Sequence, residues 1–162
     1  MSDPLRPYRN WIGTWAGPGE AQTGAPVIVR QTFELYMDDK ALLMHFEAMD
    51  PDATRLYHGV RSLLRADNNG VLRAAAYSTI HGCMLFSTTP DDEGVLALAA
   101  QSPDGNLVNV TFVEEASDAL MFTAGFRPAN VPLNAPGLPR MHARLKRLMP
   151  VNFSAPPGAP KG

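Results

Sequence analysis

Cysteine is nearly missing: Cys83 is the only one in 162 residues, so no internal disulfide forms and a secreted disulfide scaffold is excluded. A basic excess is missing too. Fourteen Lys+Arg against 16 Asp+Glu give a formal net charge of −2, so neither nucleic acid nor an anionic membrane surface is an expected partner. No apolar run approaches the roughly 20 residues of a spanning helix, and no membrane insertion is expected. The first nine residues carry no apolar leader segment, which makes the cytoplasm the expected location. There is no Gly-x-Ser-x-Gly elbow, no phosphate loop and no dinucleotide fingerprint. No spacing among Cys83 and the four histidines matches a zinc pattern.

What is present is period two. The chain is 45% hydrophobic and 19% charged, as in a globule with one core. Its organising stretch is 10–20, Asn-Trp-Ile-Gly-Thr-Trp-Ala-Gly-Pro-Gly-Glu, which holds both tryptophans. Gly13-Thr14-Trp15 opens a first strand over about 14–21, with Trp15 filling one end of the core. Gly17-Pro18-Gly19 predicts a bulge or bend within it. Over 27–37, Val29, Gln31, Phe33, Leu35 and Met37 share a face. Over 41–49 that face is Leu42, Met44, Phe46 and Ala48. Over 55–66 it is Leu56, His58, Val60, Ser62, Leu64 and Ala66.

Turn signals separate these runs, among them Asp38-Asp39-Lys40, Asp67-Asn68-Asn69-Gly70 and Ser102-Pro103-Asp104-Gly105. Further strands are predicted over 71–79, 83–89, 95–101, 107–115 and 119–127. Four prolines in 128–139 exclude a central strand and predict a long loop or flap. Over 140–149, Met141, Ala143 and Leu145 alternate with His142, Arg144 and Lys146; a strand and a short helix both fit. The fold predicted is all-β: an antiparallel up-and-down barrel of about ten strands. Residues 1–12 form a short helical plug or lid, 13–150 the barrel, and 151–162, rich in Pro, Gly and Ala, a flexible tail.

Gly13-Thr14-Trp15 at the head of a ten-element meander resembles the calycin superfamily of lipocalin-like and fatty-acid-binding-like barrels. More narrowly, Gly13-Thr14-Trp15-Ala16-Gly17-Pro18-Gly19 looks like the opening of the nitrobindin family, and Ala143-Arg144-Leu145-Lys146-Arg147 looks like its close. Uncharacterised bacterial lipocalin-like proteins resemble the central third equally well. The nitrobindin resemblance implies haem b, with His142, the histidine nearest that close, as the iron ligand. It departs from the family at 22–29, where no Tyr-Pro segment stands.

Ten strands close a barrel wide enough for side chains plus one small ligand. The inward sets are rich in Met, Phe, Leu and Ala, and the small residues at 74–76 and 97–100 leave room for an apolar or amphiphilic molecule. Phe33, Met44 and Phe46 are candidate ligand contacts. His58 stands in register with an apolar face, where it either meets a ligand or is satisfied by Ser62 or a carbonyl. His142 and Arg144 form a cationic cavity end if their face points inward, and a solvated face if it points outward. His45 with Glu47 reads as surface, and His81 as a turn residue at the barrel mouth. Glu114-Glu115 reads as a solvated strand end. Arg144 or Arg147 is expected to cover the Trp15 ring. A binding protein is the first functional reading. A barrel enzyme using His58 with Tyr57 or Tyr77 is the second, and an interaction module with a filled barrel the third. A homodimer is a candidate assembly.

Overall fold

The structure is a computed structural model and describes residues 3–88, 94–132, 135 and 138–149. A 3₁₀ helix at Arg6–Trp11 precedes ten strands. They are β1 (Gly13–Glu20), β2 (Pro26–Tyr36), β3 (Ala41–Met49), β4 (Leu56–Ala66) and β5 (Leu72–Ser78). There follow β6 (Gly82–Thr88), β7 (Val95–Gln101), β8 (Asn106–Ala116), β9 (Ala119–Pro128) and β10 (Arg140–Arg147). Each strand pairs antiparallel with its sequence neighbours, and β1 pairs β10, so the sheet closes as an up-and-down barrel. Closure removes the exposed edges that an open sheet of this length would present.

The period-two pattern dictates the core. Val27, Val29, Gln31 and Phe33 of β2 are buried, as are Leu42, Met44, Phe46 and Ala48 of β3. Met37, expected on the inward face of β2, instead begins the turn and is exposed; it, Asp38 and Asp39 all take positive φ. Leu56 is likewise 50% exposed. A register shift in the β3–β4 ladder, at Ala48/Met49, takes it out of phase with His58. β10 is a strand rather than a helix, with Ala143 and Leu145 fully buried.

Of the bulge or bend expected at Gly17-Pro18-Gly19, the bulge is not formed. β1 keeps one register against β2 from Gly13 to Glu20. The glycines serve close approach instead: a Cβ on Gly17 would lie 1.8 Å from the Arg144 carbonyl oxygen, and one on Gly19 2.2 Å from that of His142. Bare backbone there lets β10 come in and close the barrel.

One end of the barrel is plugged by the 3₁₀ helix. Trp11 is buried among Tyr8, Phe33 and Phe112, with ring centroids 5.1 to 6.3 Å away. Its indole N–H donates to Glu114 at 2.9 Å, so Glu114 is a partner of the plug and not merely a solvated strand end. The Trp15 indole N–H donates to the Trp11 carbonyl at 2.8 Å. Arg147, not Arg144, covers Trp15, its guanidinium 4.3 Å from the ring centroid. Arg147 also donates to the carbonyls of Ile12, at 2.7 Å, and Asn10. First strand, last strand and plug therefore meet at one side chain.

The expected 151–162 tail falls outside the described residues, as do residues 89–93 after β6 and residues 133, 134, 136 and 137 of the expected flap. No helix among the described residues is long and apolar enough to cross a membrane.

Arg147→Lys keeps the charge but loses the planar fork that stacks and donates twice. It should lower stability by about 1–2 kcal/mol, read as a lower urea midpoint at unchanged slope. An unchanged midpoint would contradict this role for Arg147.

Candidate functional site

Above the plug the barrel is hollow. A cavity of about 390 Å³ lies between an aromatic floor and the open mouth. The floor is Phe46, Phe112 and Phe122, with Phe122 4.9 Å from Phe46 and 5.2 Å from Phe112. Phe33 packs 5.4 Å from Phe112 and does not line the cavity, so it belongs to the plugged end rather than to a ligand site. Met44, Phe46 and His58 do line it, as the sequence pattern predicts.

Space comes from small side chains on two walls. Ala76 of β5 and Ala124 of β9 both face the cavity. Of the alanines at 74–76 and 97–100 to which the sequence pattern points, Ala76 lines the hollow and Ala74, Ala75, Ala97, Ala99 and Ala100 do not; the pattern gives no sign of Ala124. Met84, Met141 and Leu98 supply the apolar wall. Around the mouth stand Tyr57, Ile80, His81 and Phe126; Tyr57 and Ile80 are 46% and 61% exposed. Tyr57 was expected on the outer face of its strand, and the same β3–β4 register shift brings it to the rim. Among the described residues, no Lys, Arg, Asp or Glu lines the cavity.

His142 and Arg144 are placed differently from the inward alternative. Both lie on the outer surface of β10, because Met141, Ala143 and Leu145 take the inner face. His142 stands 3.8 Å from Glu20, and Arg144 pairs with Glu115 at 3.0 Å. The cationic cavity end therefore does not exist, and an iron ligand at His142 would sit outside the hollow. Inside it the imidazoles are His58 and His81. The described residues hold no cluster of three or more His, Cys, Asp or Glu fit to grip a metal ion. The residues present do not fit a haem held through His142.

His58 is half-buried and its environment is specific. Its ring meets Phe46 edge-on at 5.7 Å and His81 at 5.9 Å. Its Nε2 lies 2.7 Å from Ser78 Oγ. Ser78, 1% exposed, also accepts the backbone N–H groups of Ile80 at 3.1 Å and His81 at 3.0 Å. The expected partner Ser62 is thus replaced by Ser78, one strand over, at the end of β5. Burial holds the His58 pKa down to about 4, and the His81 imidazole adds to the shift. Near neutral pH His58 is therefore an uncharged group. Tyr77, the other sequence candidate for acid–base work, is 62% exposed on the outer face, away from His58.

No family model matches the chain, and no curated protein matches it. Among solved structures it is similar to Rv2717c from Mycobacterium tuberculosis, at 16% identity and TM-score 0.69. That match covers 92% of this chain and 99% of the other. Two further similar structures are a de novo designed fluorescence-activating β-barrel and a chain described as EF1p2_mFAP2b bound to DFHBI. Their identities are 11% and 9% and their TM-scores 0.45 and 0.47; each match covers 91% of this chain and 100% of the other. The likeness to Rv2717c shows the ten-stranded barrel fold alone.

The depressed pKa carries a stability consequence of definite sign. An unfolded histidine protonates near 6.5, while folded His58 resists protonation to about 4. Its contribution is full above about pH 6.5 and is lost as pH falls towards 4, because only the unfolded chain takes the proton in that window. His58→Phe should therefore show a shallower loss of stability between pH 6.5 and 4 than the wild type in urea unfolding. Identical pH slopes would contradict a buried neutral His58.

Proposed function

We propose that this barrel binds one small, apolar, uncharged molecule inside its hollow end. The observation that carries the reading is the 390 Å³ cavity, open at the mouth and lined, among the described residues, without a charged side chain. That volume lies within the range of small-molecule sites. An apolar guest gains contacts with such a wall that water does not supply. The exposed apolar rim at Tyr57 and Ile80 offers a first contact for such a molecule.

The enzyme reading has its own observation, the 2.7 Å approach of His58 Nε2 and Ser78 Oγ. It resembles a nucleophile beside its base. Two features weigh against it. Ser78 is buried and both its lone pairs already accept backbone N–H groups, which leaves none to attack a substrate. A base with a pKa about 4 is also poorly matched to proton abstraction at neutral pH. The nitrobindin resemblance of the opening glycines is kept at the level of the barrel. The haem it implies is not carried into this reading, since His142 lies outside the hollow and His58 Nε2 is engaged by Ser78.

N-phenyl-1-naphthylamine, an uncharged dye that brightens in apolar surroundings, tests this reading. Its emission should rise saturably with one site per chain. Ala76→Phe, which fills the cavity wall, should weaken that binding at least about tenfold, roughly 1.4 kcal/mol, while the variant stays folded. Absence of a saturable rise, or an unchanged affinity in folded Ala76→Phe, would overturn the proposal.

A further inference from the structure

The polar groups of the cavity say more about its guest than the apolar wall does. A hydroxyl has one proton to donate and two lone pairs to accept with. Ser78 Oγ lies within hydrogen-bond reach of three nitrogens: backbone Ile80, backbone His81 and His58 Nε2. The two backbone groups can only donate, so they occupy both lone pairs. The hydroxyl proton is then left for His58 Nε2, which must be bare to accept it. A neutral imidazole carries its single proton on the other nitrogen, so His58 is held as the Nδ1–H tautomer. Among the described residues Nδ1 has no hydrogen-bond partner. The turn after β5 thus fixes a donor on a cavity-lining ring and leaves that donor unspent.

From this arrangement we infer that the guest carries an uncharged hydrogen-bond acceptor, a carbonyl oxygen of the ketone, aldehyde, ester or amide kind, which receives His58 Nδ1–H. The inference rests on the binding reading above and names the ligand class for that same cavity. A carboxylate is disfavoured because, among the described residues, no Lys or Arg lines the cavity to offset its desolvation. A pure hydrocarbon is disfavoured because it would bury the N–H unpaired. His58 sits on the rim side of the same β4 face as Ser62, so the carbonyl end lies near the mouth and the apolar body points towards the phenylalanine floor.

Three naphthalenes of one body size separate the cases: 2-acetylnaphthalene, 2-ethylnaphthalene and 2-naphthoate, titrated by calorimetry into the wild type and His58→Phe. The ketone should bind the wild type about five- to tenfold more tightly than the hydrocarbon. The naphthoate should bind most weakly. In His58→Phe the ketone's advantage should vanish while the ethyl compound binds within about twofold of its wild-type affinity, by the logic of a single lost hydrogen bond. Equal binding of ketone and hydrocarbon by the wild type, an advantage that persists in His58→Phe, or tightest binding of the carboxylate would overturn the inference. In the first two cases binding of the ethyl compound still upholds the cavity reading, whereas tightest binding of the carboxylate would also overturn its uncharged guest. Failure of all three compounds to bind would overturn both. Long-range 1H–15N spectra of the unliganded wild type read the tautomer independently of any variant: a proton on Nδ1 supports the inference and a proton on Nε2 overturns it.

Discussion

The stack of Arg147 on Trp15 is the contact on which the rest of the barrel depends. A ten-stranded meander has two free edges until its first and last strands meet. Here they meet through β1–β10 pairing, and the guanidinium 4.3 Å above the indole locks that seam from the plugged end. The same guanidinium donates to the carbonyls of Ile12 and Asn10, so the seam and the plug share one side chain. Glycine makes the seam feasible. Side chains at Gly17 and Gly19 would collide with the backbone of β10. A short glycine-rich opening and a distant arginine are thus two halves of one joint.

With one end sealed, the interior divides by residue size. At the plugged end Trp11, Trp15, Phe33 and Leu120 leave almost no exposed surface. Phe46, Phe112 and Phe122 then form a layer across the barrel. The lining of the hollow includes the small side chains of Ala76 and Ala124, which leave space that the larger lining residues do not fill. The hollow follows from ten strands fixing a diameter that side chains fill at one end and not at the other. Its few polar atoms are correspondingly informative. Each polar group in such a wall either bonds within the protein, as His58 Nε2 does with Ser78, or awaits a partner.

Much of this was legible in the residues. Strict alternation in β2, β3 and β10 forced the faces, because one step of slip would put a whole apolar set into water. That pattern placed Met44 and Phe46 in the interior and identified the strand face of His58. For His142 and Arg144 it left both faces open, and burial of the alternating Ala143 and Leu145 decides for the outer one. What stayed hidden was whatever depends on partners across strands. The β3–β4 register shift that exposes Leu56 and brings Tyr57 to the rim has no local signature. Neither does the choice of Ser78 over Ser62, since sequence alone could not show that the end of β5 sets its hydroxyl against β4. Phe33 shares a face with Gln31, yet only the depth of the plug decides that one lies beneath the floor and the other beside the cavity.

The central claim is that the apolar hollow takes a guest, and methyl NMR on protein labelled at methionine tests it at defined sites. Met44, Met84 and Met141 line the hollow, while Met37 and Met149 are exposed outside it. Titration with 2-acetylnaphthalene should shift the first three methyl signals along one saturable isotherm and leave the other two in place. Shifts confined to Met37 and Met149, or spread evenly over all five, would contradict it.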